Sequence, residues 1–333
     1  MKRAAFRALL FAGAFLSSTN TNAAYEEGVT ALRSGNHAVA FEELRNALDA
    51  SDQRAAGPLA VLLLHGRGVK SDPVEAYRLA KIGIDADDVF ALNAGAEILI
   101  RGLGTDANID LGRTWAKRSA ARRDANGQYF VYLGYLLDPK YSVSANRGLT
   151  YEQYIQMAAR PVSERQEEIE ALENMAKAAD QNLIVALTAL AAHFADKIGP
   201  YNHVRARQLY VHIPSLPDPL NFKTWLHKIG ERGETRVTPK LMRNAQTSAL
   251  VTAAAKVKKP ECKDITLEKL ELLGTIGSPI YLPLTHPALR ESYLIGGEWQ
   301  EIWTYSFCGV RTSVRGTFRA DGMSGAHYVF SAQ

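Results

Sequence analysis

Side chains that move protons, attack carbonyls or hold metals are thinly scattered in this 333-residue chain. Its eight histidines form no HExxH and no acid-flanked pair at metal-ligand spacing, so neither a metal nor a cofactor is expected. His65 and His193 fall on helical patterning near turns and His286 precedes Pro287; packing or surface roles are expected for all three. The run GMSGA, Gly322 to Ala326, has the outline of a nucleophile elbow. It ends in alanine instead of glycine, follows an Asp-Gly turn and has only His327 beyond Ser324, so the acid-then-histidine order of that motif is missing. Glu164, Glu167, Glu168, Glu170 and Glu173 crowd one predicted helix, where a polar face turned to water is expected over acid–base work. The densest feature is an aromatic stripe, Trp299, Trp303, Tyr305 and Phe307. A core role is expected for it. The competing reading makes Trp299, Trp303 and Tyr305 an exposed face that stacks on sugars or grips a peptide. Nothing here points to an enzyme.

The elements that would position these residues come in two kinds. From Tyr25 to about Ile213 apolar residues recur at spacings of three and four, the signature of short amphipathic helices. In 38–48, Val39, Ala40, Phe41, Leu44, Ala47 and Leu48 share one side and Glu42, Glu43, Arg45 and Asn46 the other. Ser34-Gly35-Asn36 ends the first helix. HGRGVKSDPVEA (65–76) then returns as RGLGTDANIDLG (101–112): Gly66/Gly68 become Gly102/Gly104, Asp72 becomes Asn108, Ala76 becomes Gly112 and Ala80 becomes Ala116, all 36 residues on. Pro73 suits a helix start and Asp72 its cap. Because helical patterning precedes them, the Gly-x-Gly pairs do not read as dinucleotide motifs. From Cys262 the period changes to two: Trp299, Glu301, Trp303, Tyr305 and Phe307 alternate with Gln300, Ile302, Thr304 and Ser306, and Val310 to Phe318 continue after Cys308-Gly309. Ile280 to Leu284, Tyr293 to Ile295 and Ala326 to Phe330 add predicted strands, with Asp321-Gly322 as a turn.

The repeated punctuation, with Leu59, Ala60, Val69 and Ala76 in one copy and Ala96, Ala107, Trp115 and Ala116 in the next, resembles the Sel1-like repeat, a relative of the tetratricopeptide repeat. The resemblance implies helix pairs of 36 to 38 residues stacked as a right-handed solenoid, and a role as an adaptor that assembles complexes. Degenerate copies are expected after residue 126: Leu133-Gly134 with Tyr135 keeps the look of the repeat, Asp138-Pro139-Lys140 replaces its turn, an insertion runs to about Ser163, and Leu190-Ala191 with Phe194 reopens it. The run GGEWQEIWTYSFCG resembles a short carboxy-terminal β-domain of uncharacterised exported Sel1-repeat proteins, which implies no established activity.

Export is the expectation at the front end. Lys2 and Arg3 precede the apolar run Ala8 to Leu16, then a polar run and Ala23-Ala24, the layout of a cleaved secretory leader whose apolar run is far shorter than the ~20 residues of a spanning helix. Removing its three cations takes the formal net charge from +4 to +1, which gives no electrostatic reason to expect nucleic acid. Lys117, Arg118, Arg122 and Arg123, and Lys256 to Lys263, read as solvated faces or linker. Cys262 and Cys308 are the two cysteines of a chain read as exported, and a bridge between them would constrain the unfolded chain by about 4 kcal/mol in the loop-entropy account.

The sequence therefore predicts an α+β multidomain chain: a leader over 1–24, a helical-repeat solenoid over 25–213, a helical cap or linker over 214–259 entered through the proline-rich 213–220, and a small disulfide-linked antiparallel β-domain over 260–333. The function that fits is a non-catalytic exported scaffold, periplasmic or secreted, that binds a protein or peptide partner through its repeats. The alternative is an envelope carbohydrate or peptidoglycan binder using the aromatic β-face. No transmembrane span is expected after leader removal.

Overall fold

The computed structural model describes residues 22–141, 151–257 and 261–333. Most of the expected leader, residues 1–21, lies outside the described residues, as do part of the insertion (142–150) and the lysine-rich exit at 258–260. The fold is helical first and antiparallel β last, as the patterning predicts. The chain forms two compact units, dividing between Ala145 and Asn146.

The first unit contains α1 (residues 22–33), α2 (His37–Asp49), α3 (Ala56–His65), α4 (Pro73–Ile84), α5 (Val89–Arg101), α6 (Ile109–Ala120) and α7 (Ala125–Leu137). The starts of α2, α4 and α6, at residues 37, 73 and 109, are spaced by the 36-residue period read from the two turns. The repeat thus begins one hairpin earlier than its glycines reveal. Asp72 accepts a hydrogen bond from the Glu75 backbone N–H at 3.0 Å and Asn108 from Leu111 at 3.1 Å, capping α4 and α6 at equivalent positions. The other helix of each pair is entered by its own repeated device. Ser51, Asp87 and Arg123 take left-handed backbones (φ 73°, 57° and 60°), and the following Asp88 and Asp124 cap α5 and α7 at 2.8 and 2.9 Å. Each such cap stabilises a helix start by about 1 kcal/mol.

Small residues recur where helices meet. Ala40, Ala76 and Gly112 are equivalent and buried, as are Leu44, Ala80 and Ala116. Helix α3 packs on α4 and α5, and α5 on α4, α6 and α7, so the first helix of each pair touches both its own partner and the first helix of the next pair. Leu59, Leu62, Leu79, Leu92 and Ile98 fill the interior of that stack. A pair of such helices has little interior of its own, and stacking supplies it.

The second unit contains α8 (Tyr151–Ala158), α9 (Gln166–Asp180), α10 (Ile184–Asp196), α11 (Asn202–His212), α12 (Phe222–Gly230) and α13 (Pro239–Val257), then β1 (Ile265–Tyr281), β2 (Leu294–Phe307), β3 (Val310–Ala320) and β4 (Ala326–Ala332). The turn between α9 and α10 copies the first unit's device, a left-handed Asn182 (φ 61°) two residues before the helix. The strands pair antiparallel in the order β1-β2-β3-β4. Phe307 pairs with Val310 across the two-residue Cys308-Gly309 turn, whose positive φ angles of 47° and 83° suit a tight hairpin. On the inner face of the sheet Trp299, Trp303, Tyr305, Phe307, Val314, Phe318 and Phe330 form a core with α13. Helix α13 offers it Leu241, Ala245, Ala249 and Ala253, a stripe at four-residue spacing whose three alanines are fully buried, which lets the helix lie close over aromatic rings.

Three expectations are revised by this arrangement. The helices after α7 and those of 214–259 share one compact unit with the sheet, so the contacts do not divide the chain at 213; the stretch expected as cap or linker supplies the layer that covers the sheet. Of strand β1 the sequence indicates only the end, at Ile280 and Tyr281, because ITLEKLELL has helical spacing and the register on β2 shifts four times. Glu168 and Glu173 do not face water. Glu168 is buried beside Arg165 and Arg160 (3.8 and 3.7 Å), and Glu173 accepts from the His286 backbone N–H at 3.0 Å and the Thr285 hydroxyl at 3.1 Å.

Candidate functional site

The four turn glycines fall into two jobs. Gly66 and Gly102 end α3 and α5 in left-handed conformations, φ 63° and 68°. Gly68 and Gly104 serve the neighbouring hairpin. A Cβ on Gly68 would collide with the backbone of His37 and Ala38 at the start of α2, and one on Gly104 would crowd Pro73 and Val74 at the start of α4. Each turn is therefore seated on the first turn of the preceding pair's second helix, and the 36-residue offset is the stacking contact itself.

That stacking brings side chains from successive first helices together. His65 on α3 reaches Glu97 on α5 at 3.5 Å (Nε2 to Oε2), and Arg101, the residue equivalent to His65 one repeat later, holds the other carboxylate oxygen at 3.1 Å. Tyr129 on α7 lies within the field of both Arg101 and Glu97, and burial pushes its phenol up from the ordinary range. Burial, opposed by Glu97 and reinforced by Arg67 and Arg101, lowers the His65 imidazole, which is neutral at pH 7. The cluster offers a carboxylate, a guanidinium, an imidazole and a phenol on three consecutive repeats. Beside it run two purely structural networks. Asn93 donates to Asp124 at 2.8 Å and accepts from Ser119 at 2.8 Å; Arg118 and Arg122 both pair with Asp87, Arg122 at 2.7 Å. Lys117, Arg118, Arg122 and Arg123 are thus not one free basic patch. Sequence reading noticed His65 alone; the offset linking His65 to Arg101 was the available signal.

In the second unit the aromatic stripe takes the core position expected of it, and the competing reading of Trp299, Trp303 and Tyr305 as a binding face is overturned. Trp299, Trp303 and Tyr305 are 2, 0 and 1% exposed, so their rings have no surface for a sugar or peptide. Trp299 stacks on Phe318 (centroids 5.2 Å apart, 10° between planes) and Trp303 meets Phe330 at 5.0 Å. Their indole N–H groups turn toward Glu301, which shares their face because the strand period is two. The fully buried carboxylate accepts from Trp299 Nε1 at 3.1 Å, Trp303 Nε1 at 2.9 Å, the Thr235 hydroxyl at 2.8 Å and the Arg236 backbone N–H at 2.8 Å. Burial raises its pKa and these four donors pull it back. The web fastens the segment before α13 to the sheet.

Other candidate catalytic residues are also absorbed by packing. Ser324 is buried and its hydroxyl accepts from the Ile198 backbone N–H at 2.8 Å. His193 is buried against Ser292 Oγ at 2.9 Å, and burial lowers its pKa to about 3. His286 Nε2 faces Asp180 at 3.0 Å. Arg165 is 1% exposed and donates to the backbone carbonyls of Gly322, Ala158 and Arg160 at 2.7, 3.0 and 3.2 Å. Cys262 and Cys308 form the disulfide, their Cα atoms 5.9 Å apart, tying the segment before β1 to the β2–β3 turn. Among the described residues no helix is long and apolar enough to cross a membrane.

These features define the class: a helical-repeat protein whose later helices carry a small antiparallel sheet. No protein-family model matches the chain, and no curated protein does. Among solved structures it is similar to a protective antigen present in uropathogenic Escherichia coli strains displaying an SLR fold, with 16% identity and a TM-score of 0.37 over 65% of this chain and 55% of that one. It is also similar to a Sel1 repeat protein from Oxalobacter formigenes, with 18% identity and a TM-score of 0.37 over 58% of this chain and 49% of that one. The chain thus spans about half the length of the solved chains it matches.

Proposed function

We propose that this protein is a non-catalytic scaffold that binds a protein or peptide partner through the surface of its helical repeats, and that it works after export, in the periplasm or outside the cell. The observation that carries the reading is the convergence of His65, Glu97, Arg101 and Tyr129 from α3, α5 and α7. Helical repeats present extended surfaces, and a half-buried ion pair beside an aromatic ring is the composition of a recognition patch more than of an acid–base site. Export is supported by the leader-like first 24 residues and the disulfide.

The test is affinity capture from cell-envelope extract with the full chain and with Glu97→Ala and Tyr129→Ala, which trim the patch. A partner held by the parent chain and weakened roughly tenfold or more by either variant is expected, the effect of losing a central interface residue. A partner retained equally by all three chains, or none at all, contradicts the reading.

A further inference from the structure

We propose that the free edge of β4 docks the β4 of a second copy of this chain, so that two four-stranded sheets run antiparallel into one across a twofold axis at Val329. Strand β4 ends the sheet order and has no neighbour beyond it among the described residues. Its ladder to β3 fixes which of its backbone groups are spent. At the two ends of the pairing the Asp321 N–H donates to the Gly325 carbonyl at 3.1 Å and the Gln333 N–H to the Ser313 carbonyl at 3.4 Å, and antiparallel strands exchange such bonds at every second residue. His327, Val329 and Ser331 therefore turn their backbone groups to β3, opposite Arg319, Thr317 and Arg315. Those of Ala326, Tyr328, Phe330 and Ala332 face the free edge, and no described residue bonds to them.

The two edges of the sheet are built differently. At β1 the Leu270 N–H donates to the Arg232 carbonyl at 2.7 Å and the Arg232 Nε to the Leu267 carbonyl at 2.6 Å. The Lys269–Glu271 ion pair stands on the same strand, and its register shifts four times. Cover, charge and bulges of this kind blunt an edge against further pairing. Strand β4, AHYVFSA, has a continuous register and no proline, lysine or acid. Its Val329 is 70% exposed, the highest value for a large apolar side chain among the described residues.

The strand is complementary to itself. With the axis at Val329 all seven residues overlap, pairing Val329 with Val329, Tyr328 with Phe330, His327 with Ser331 and Ala326 with Ala332. The edge groups of Tyr328 and Phe330, and of Ala326 and Ala332, then fall in hydrogen-bonded pairs, and Val329 falls in the non-bonded pair, where side chains approach most closely. The valines cover each other on the outer face, and the Tyr328–Phe330 pairs extend the aromatic core on the inner one. No like charges meet. Arg315 and Arg319 stand on β3, three strand spacings from the same column of the second copy, about 14 Å, which exceeds the ~10 Å Debye length at 0.1 M salt. Moving the axis to His327 would set two imidazoles face to face and leave Phe330 and Ala332 beyond the end of the other strand. A segment of another protein would have to supply this pattern; a second copy already carries it.

Sedimentation velocity on the full chain tests this. The parent should be dimeric at about 0.1 mM, and Val329→Lys, which places two ammonium groups at the axis and alters a side chain that faces water, should weaken the dimer roughly tenfold or more with unchanged circular dichroism. Val329→Cys reports the register. It adds one thiol to a chain whose native cysteines are bridged, and a mild oxidant should link two copies, because the non-bonded pair holds its Cα atoms about 4.5 Å apart, within disulfide reach. His327→Cys should not link, because His327 lies opposite Ser331 and about 14 Å from its own mate. A parent that stays monomeric at about 0.1 mM, a dimer indifferent to Val329→Lys, or equal linking by the two cysteine variants overturns the proposal.

Discussion

At Gly68 and again at Gly104 the first unit makes one contact twice, 36 residues apart, each turn seated on the helix start of the pair before it. In the second unit, Glu301 gathers four donors drawn from two strand neighbours and a distant loop, and Arg165 threads three backbone carbonyls, one of them 157 residues away. One region is specified by a rule that the sequence repeats; the other by contacts used once. A repeated rule distributes stability over many small, equivalent steps, whereas a buried polar web concentrates it in a few side chains whose loss leaves several partners unsatisfied.

Acid should separate the two regions most. His193 is buried and His203 half-buried in the second unit, and desolvation lowers them to about 3 and about 4. A histidine depressed in the folded state takes up its proton on unfolding, so its contribution is intact above about pH 6.5 and shrinks as pH falls toward the folded value. Two such protons give a slope that approaches about 2.7 kcal/mol per pH unit near pH 5 and is smaller at pH 6 and at pH 4. Trp115 is the first unit's tryptophan, and Trp225, Trp299 and Trp303 belong to the second. Urea unfolding followed by fluorescence in a Trp115→Phe chain should therefore lose its midpoint steeply over that window. A flat profile would show that these imidazoles are accessible to protons in the folded state.

Next in size, Glu301→Leu should destabilise the second unit by about 3–5 kcal/mol, since four buried donors lose their acceptor at once. Glu301→Gln should cost about 1–3 kcal/mol, because one amide oxygen remains. The same fluorescence midpoint measures both. Equal and small losses would mean that water or a shifted loop replaces the carboxylate.

The smallest step belongs to the repeats. Asp88→Ala removes one cap of α5 and should cost about 1 kcal/mol, read as a drop in the thermal midpoint of the first unit's helical signal. A loss as large as that from Glu301→Leu would erase the distinction between the regions.

How far each region was legible follows from the same contrast. Glycines, caps and small residues recur at fixed offset, so α3 to α6 stand in the sequence almost as drawn. The hairpin of α1 and α2 is legible as two helices about the Ser34-Gly35-Asn36 turn but not as a copy of the repeat, because that turn lacks the Gly-x-Gly pair, although Ala40 and Leu44 hold the places of Ala76 and Ala80. Alternation located β2, β3 and β4 and placed Glu301 on the tryptophan face. It did not say that the face is covered, since the alanine stripe of α13 looks like any helical pattern until its partner is known. The burial of Glu173 is hidden for the same reason, since its partner Thr285 lies 112 residues on; Glu168 has a local partner in Arg165, three residues before it, but that arginine is itself buried through a bond to Gly322, 157 residues away. The His65, Glu97 and Arg101 cluster was half visible, in an offset already measured at the turns and not carried to the side chains beside them.

Backbone hydrogen exchange on two chains, Gly68→Ala and Gly104→Ala, tests the stacking account most directly. An added Cβ should unseat each turn from the preceding pair, so protection should fall at the start of α2 in the first chain and at the start of α4 in the second, the same disturbance displaced by one repeat, with the sheet of the second unit unchanged. Faster exchange confined to the substituted turn itself, or spread evenly through both units, would contradict it.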